Sequence, residues 1–195
     1  SDYFYNTDIQ KNIRNANEEQ FQEGFLRELF VNVFGYTLNP NPEFNLTTEF
    51  KNETDGKKAD GAILYDGNAL AVIELKGTNT TDLEKVNAQA FNYKNNQTGC
   101  VYVITSNFEK LRFYIDNQVN WLEFNLFTIS EDDFKLLYFC LNKESLLVGI
   151  PEKAKKDSLV VDENITKQLY KDYSIFKNDL WLNMIKNSPE TDQLT

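Results

Sequence analysis

Three side chains offer chemistry by their type and spacing: Asp60, then Glu74 with Lys76 two positions beyond it. Asp60 stands near the start of one apolar run, 59–65, and Glu74, Leu75 and Lys76 close the next, 69–76. Charged groups at the end of an apolar strand cost free energy unless they are paired, solvated or ligating something. If the two runs are neighbouring strands, Asp60 and Glu74 approach across them, and two carboxylates sharing a site repel unless a cation or proton lies between them. A divalent ion resolves that repulsion. Magnesium takes oxygen ligands and keeps several waters, so Asp60, Glu74, the Leu75 carbonyl and solvent make a sensible ligand set. Lys76, one pleat from Glu74, is then placed to orient or help deprotonate a water and to shield charge on a phosphate. The scheme needs no imidazole, and the sequence contains no histidine. That absence removes Ser-His-Asp hydrolases and the histidine-ligated zinc hydrolases and deaminases. A carboxylate and a lysine two residues apart also serve edge strands as a plain solubility device, so the surrounding elements must decide.

Those elements are readable. Residues 59–65 and 69–76 flank Asp66-Gly67-Asn68, a tight reversal that predicts antiparallel neighbours. Period-two alternation puts Val72, Glu74 and Lys76 on one face and turns Leu75 away. Thr81 or Asp82 can cap a helix reaching Asn95, and the β-branched run 100–105 comes next as a buried strand. Strand, helix, strand makes 100–105 parallel to 69–76. Runs 111–115 and 119–124 around Asp116-Asn117 predict an edge hairpin. Upstream, 9–34 reads as one helix with Phe21, Phe25, Leu29 and Val33 on its apolar stripe, interrupted by Gly24 and stopped by Gly35. Asn39-Pro40-Asn41-Pro42 is a turn, and 44–50 a strand. Downstream, Ser130 caps a helix carrying Phe134, Leu137, Cys140 and Leu141. Residues 150–156, with Pro151, read as a linker or irregular arm, and 164–187 as a second long helix. The expected organisation is a core over 1–149 and a linker with helical connector over 150–195.

The 195 residues carry 30 acidic and 20 basic side chains, a net charge of −10. Duplex binding normally rests on lysine and arginine neutralising phosphates, so this acidity implies that affinity for nucleic acid would come from another domain. Lys57, Lys58, Lys94, Lys110 and Arg112 lie nearest the predicted chemistry and are the candidate backbone contacts. The two cysteines, Cys100 and Cys140, sit in apolar runs, which fits a reducing interior. No apolar stretch is long enough to span a bilayer, and nucleotide-binding glycine signatures are absent.

The pattern Lys58-Ala59-Asp60-Gly61-Ala62-Ile63-Leu64 with Ala71-Val72-Ile73-Glu74-Leu75-Lys76 resembles the PD-(D/E)xK nuclease superfamily. It is most similar to the amino-terminal cleavage domain of type IIG enzymes, which fuse restriction to adenine methylation. Ala59 stands where the family usually has proline. The resemblance implies an α/β fold, with a central mixed sheet flanked by helices. It implies Asp60 and Glu74 as metal ligands with the Leu75 carbonyl, and Lys76 as the catalytic lysine. Gln89-Ala90-Phe91-Asn92-Tyr93 is similar to the family's Q-x-x-x-Y helix, which places Gln89 near the active site and a backbone phosphate, with Tyr93 one turn away. Lys58, Lys94 and Arg112 join Gln89 and Tyr93 as implied nucleic-acid contacts. Residues 103–108 and 111–114 resemble its "TN…rfY" strand-turn-strand. The family also draws an acid from its first helix; Glu23 is the first choice in this sequence and Glu19 the second.

In function, the resemblance implies a Mg²⁺-dependent endodeoxyribonuclease, Mn²⁺ serving as substitute, acting on double-stranded DNA in a bacterial cytoplasm. Its methyltransferase and target-recognition domains would lie beyond residue 195, and double-strand cleavage would call for a transient dimer. Two other readings stay open: a catalytically silent nucleic-acid-binding or assembly module of the same fold, and a standalone defence nuclease acting on RNA or branched DNA. Metal and lysine chemistry alone does not inspect the sugar.

Overall fold

The computed structural model describes residues 3–52 and 56–158. The helix expected over 164–187 lies outside them. Six strands form one mixed sheet in chain order: β1 (Leu46–Lys51), β2 (Lys58–Tyr65), β3 (Asn68–Leu75), β4 (Tyr102–Ser106), β5 (Lys110–Ile115) and β6 (Trp121–Asn125). Every neighbouring pair is antiparallel except β3 and β4, which are parallel. Helix α3 (Glu84–Asn95) makes the crossover between those two. The expected α/β core with a central mixed sheet is therefore present.

The β2–β3 hairpin turns on Asp66 and Gly67, with φ of 49° and 79°. Two successive positive φ values twist the chain to match the strands it joins, which is why an Asp-Gly pair belongs there. Ile63, Ala71, Ile73, Leu75, Tyr102, Ile104 and Phe113 are buried together in the main core, against Phe25, Leu26 and Phe30. Val72, Val103 and Tyr114 meet Ala90, Phe91 and Tyr93 of α3 in a second cluster. The sheet is thus covered on both faces, and its central strands are nearly all apolar.

The amino-terminal region departs from the single helix expected over 9–34. It is α1 (Thr7–Asn15), then α2 (Glu18–Phe25) running directly into a π-helical segment, Leu26–Val31. The break has a local cause: Asn17 and Gln20 form a reciprocal capping box that satisfies the free amides of a new helix start. The apolar stripe continues across the break and masks it. Gly24 is a packing glycine, since a Cβ there would sit 3.1 Å from the Phe21 ring.

At the other end, α4 (Glu131–Leu141) is capped by Ser130 as expected, and α5 (Lys143–Leu147) comes after it. Residues 150–158 are helical. The stretch 150–156, expected as a linker or irregular arm, is helical, since Pro151 falls in the first helical turn, where a missing N–H breaks no hydrogen bond. The chain divides into two units between residues 152 and 153, the first holding the whole sheet. Among the described residues no helix is long and apolar enough to cross a membrane.

Candidate active site

The β2–β3 register is paired from Gly61 with Ile73 onward, and Asp60 and Glu74 are the next residue on each strand. Opposed residues of adjacent strands share a face. A Cβ at Gly61 would stand 3.3 Å from both Leu26 Cδ1 and the Thr47 carbonyl, a tight contact that glycine avoids where β2 lies close to its neighbours. The Asp60 carboxylate accepts a hydrogen bond from the Leu75 amide at 2.7 Å and another from the Gln22 side chain. Burial pushes its carboxyl upward, against the pull of the Leu75 amide and the Lys76 charge.

Glu74 is 1% exposed. Its Oε1 accepts from Lys76 Nζ at 2.7 Å, while Oε2 is buried with no hydrogen-bond partner. Burial first, and the charge of Asp60 second, push its carboxyl up to about 7. Lys76 Nζ also donates to the Leu75 carbonyl at 2.9 Å and lies 3.4 Å from Glu18 Oε1. Burial works against the ammonium, but its bond and charge interactions with Glu74, then the charges of Asp60 and Glu18, outweigh this and raise its pKa. In this arrangement Lys76 is a firmly held cation.

Glu18, the first residue of α2, joins the group: its Oε2 accepts from the Gly77 amide at 3.0 Å. Of the acids of the amino-terminal helices, it is Glu18 that the structure brings beside Lys76, whereas Glu23 and Glu19 were the expected ones. Glu23 pairs with Arg27 at 2.7 Å on the exposed side of the helix and is not brought to the site. Five residues from Glu18, it points about 140° away around the axis. Glu19 is exposed. Glu18 and Gln22 stand at i and i+4 on one face, and the Asn17…Gln20 capping box is the sequence signal that marks the helix start aiming them.

On α3 the exposed Gln89 donates from its Nε2 to the Tyr93 hydroxyl at 3.0 Å. Burial raises the Tyr93 phenol, and it also feels the charges of Glu74, Asp60 and Lys76. The candidate phosphate-binding cations are engaged elsewhere. Lys58 pairs with Glu49 at 2.7 Å, and Lys94 with Asp116 at 3.8 Å. Arg112 bridges Glu84 at 3.2 Å and Glu123 at 2.6 Å and stacks on Trp121.

As donors for a hard divalent ion, Asp60, Glu74 and the Leu75 carbonyl supply only oxygen, the chemistry such an ion prefers. Among the described residues no group of three or more His, Cys, Asp or Glu side chains is disposed as a metal cluster. The partnerless Glu74 Oε2 is the feature that fits a cation: an anionic oxygen removed from water needs a counter-charge or a proton. Thr105, which pairs with Glu74 in the β3–β4 register, likewise has a buried hydroxyl without a partner.

A family model described as "MmeI, N-terminal domain" matches residues 6–179. No curated protein matches the chain.

Proposed function

The chain belongs to the MmeI N-terminal domain family, and on that premise we propose that it is the endonuclease domain of a type IIG restriction enzyme. Its reaction is divalent-metal-dependent hydrolysis of DNA phosphodiesters at Asp60, Glu74 and Lys76. The observation that carries this reading is the buried Glu74 carboxylate, one oxygen partnerless, lying within the charge of Asp60 and bonded to Lys76.

Asp60 and Glu74, with the Leu75 carbonyl, would hold the ion. Magnesium, or manganese in its place, supplies Lewis-acid activation of the phosphate and a water acidic enough to attack near neutral pH. The Leu75 amide and Gln22 fix the Asp60 carboxylate, so little reorganisation is needed as charge develops. Lys76 offers its ammonium to the non-bridging oxygens of the phosphate and to the attacking water. Its raised pKa supports an electrostatic and orienting role over that of a neutral base. Glu18 holds the Gly77 amide and stands behind Lys76, setting the approach of the lysine. Gln89, tied to Tyr93, is the candidate on α3 for a phosphate contact. The products are a 3′-hydroxyl and a 5′-phosphate.

Sequence recognition belongs to methyltransferase and target-recognition domains of the whole enzyme, and double-strand cleavage to a transient pairing of two nuclease domains. Plasmid cleavage at low salt across a Mg²⁺ titration tests the proposal. Wild type should nick supercoiled DNA only with the metal, and D60A and K76A should each lose at least a thousandfold. Metal-independent nicking, or full activity in D60A, would refute it. Matched RNA and branched DNA should be poorer substrates; preference for either would favour the defence-nuclease reading.

A further inference from the structure

The Lys76 ammonium occupies ground that a metal ion would need. Its Nζ lies 2.7 Å from Glu74 Oε1 and 2.9 Å from the Leu75 carbonyl, two of the three groups assigned above as metal donors. A divalent ion on the same oxygens, at about 2.1 Å, would place its charge close against the ammonium at bonding distance from shared lone pairs. On Glu74 Oε1 and the Leu75 carbonyl the two like charges would compete and repel, while Glu74 Oε2 is left open by the ammonium. The lysine has somewhere to go: Glu18 Oε1 is 3.4 Å from Nζ, and a quarter of the Lys76 side chain is open to solvent.

We propose that Lys76 is a tethered counter-cation that closes the metal-free site, and that a divalent ion enters only by displacing it from Glu74 and the Leu75 carbonyl. The inference rests on the metal-dependent reading above. The consequence is a coupling: the event that loads the site also releases the ammonium from Glu74 toward Glu18 and the substrate side. A domain without metal then keeps its buried carboxylate neutralised and its lysine out of the reaction. An ion pair with only a structural role makes a different prediction, because removing it would lower stability without improving metal binding.

The test is Mn²⁺ affinity, read from the electron-spin-resonance signal of the unbound aqueous ion, on the full 195-residue chain at pH 8.5. There, proton competition for Glu74 is small. Lys76→Met and Lys76→Gln remove the internal cation; Gln keeps a donor for Glu74 where Met does not. Both should bind Mn²⁺ at least about tenfold tighter than wild type, and Asp60→Asn should lose binding. Mn²⁺ should also raise the melting temperature of either lysine variant by more than it raises that of wild type, because ligand stabilisation follows affinity. Equal or weaker binding in both lysine variants, with wild type still binding, overturns the displacement and leaves the metal-dependent nuclease standing. No Mn²⁺ binding in any form overturns both.

Discussion

Glu74 pays for its position with a carboxyl titrating near 7 in place of its ordinary 4.5. Below about pH 4.5 the group is neutral whether the chain is folded or unfolded. Between there and 7 the unfolded chain ionises first, so stability falls as pH rises, by up to about 3 kcal/mol from this residue. In metal-free buffer, denaturant titrations should show Glu74→Gln gaining on wild type across that window; a difference flat with pH would contradict the assignment. Glu18 makes a second residue-scale prediction. Glu18→Gln weakens the charge that positions Lys76 and should lower cleavage ten- to a hundredfold, the range of one charge-assisted hydrogen bond. Glu23→Gln should leave cleavage within twofold. Asp60, Glu74 and Lys76 are readable in the sequence because three charges at apolar strand ends must be accounted for. Glu18 and Gln22 are not, because nothing in a solvent-side glutamate or glutamine says which way its helix points until its starting residue is known.

At the scale of elements, legibility tracks the strength of local signals. The β2–β3 hairpin is clear because period-two alternation and an Asp-Gly turn agree, and the parallel β4 follows from a helix-long crossover that returns the chain to the same end of the sheet. The interruption between α1 and α2 is hidden, because an apolar stripe at helical spacing runs through it while the chain stops and restarts at Asn17. That restart aims Glu18, so the cap has a functional weight. Asn17→Ala should cost about 1 kcal/mol of stability and also lower cleavage, by loosening the first turn that carries Glu18. Gly67→Ala, at φ 79° in the hairpin turn, should cost a similar 1–2 kcal/mol with cleavage per folded molecule unchanged, since the turn lies at the far end of the strands from Asp60 and Glu74. Thermal melts and single-turnover cleavage of the two variants separate positioning from simple stability.

At the scale of the molecule, the net charge of −10 and the pairing of Lys58, Lys94 and Arg112 with acids describe a surface poorly prepared to hold DNA by itself. On the proposed reading, affinity supplied by linked domains would raise the local concentration of the duplex and remove the need for a basic face. Arg112, held by two carboxylates and the Trp121 ring, should act on stability first: Arg112→Ala is expected to lower the melting temperature while single-turnover cleavage at a permissive temperature stays within a few fold. The proposed chemistry turns on one ion shared by Asp60 and Glu74. Crystals of the chain soaked in Mn²⁺ and measured at the manganese absorption edge address it directly. The predicted result is an anomalous peak within coordination distance of Asp60, Glu74 and the Leu75 carbonyl, with Lys76 withdrawn from Glu74. Manganese bound only elsewhere, with the Lys76–Glu74 bond intact, would contradict it.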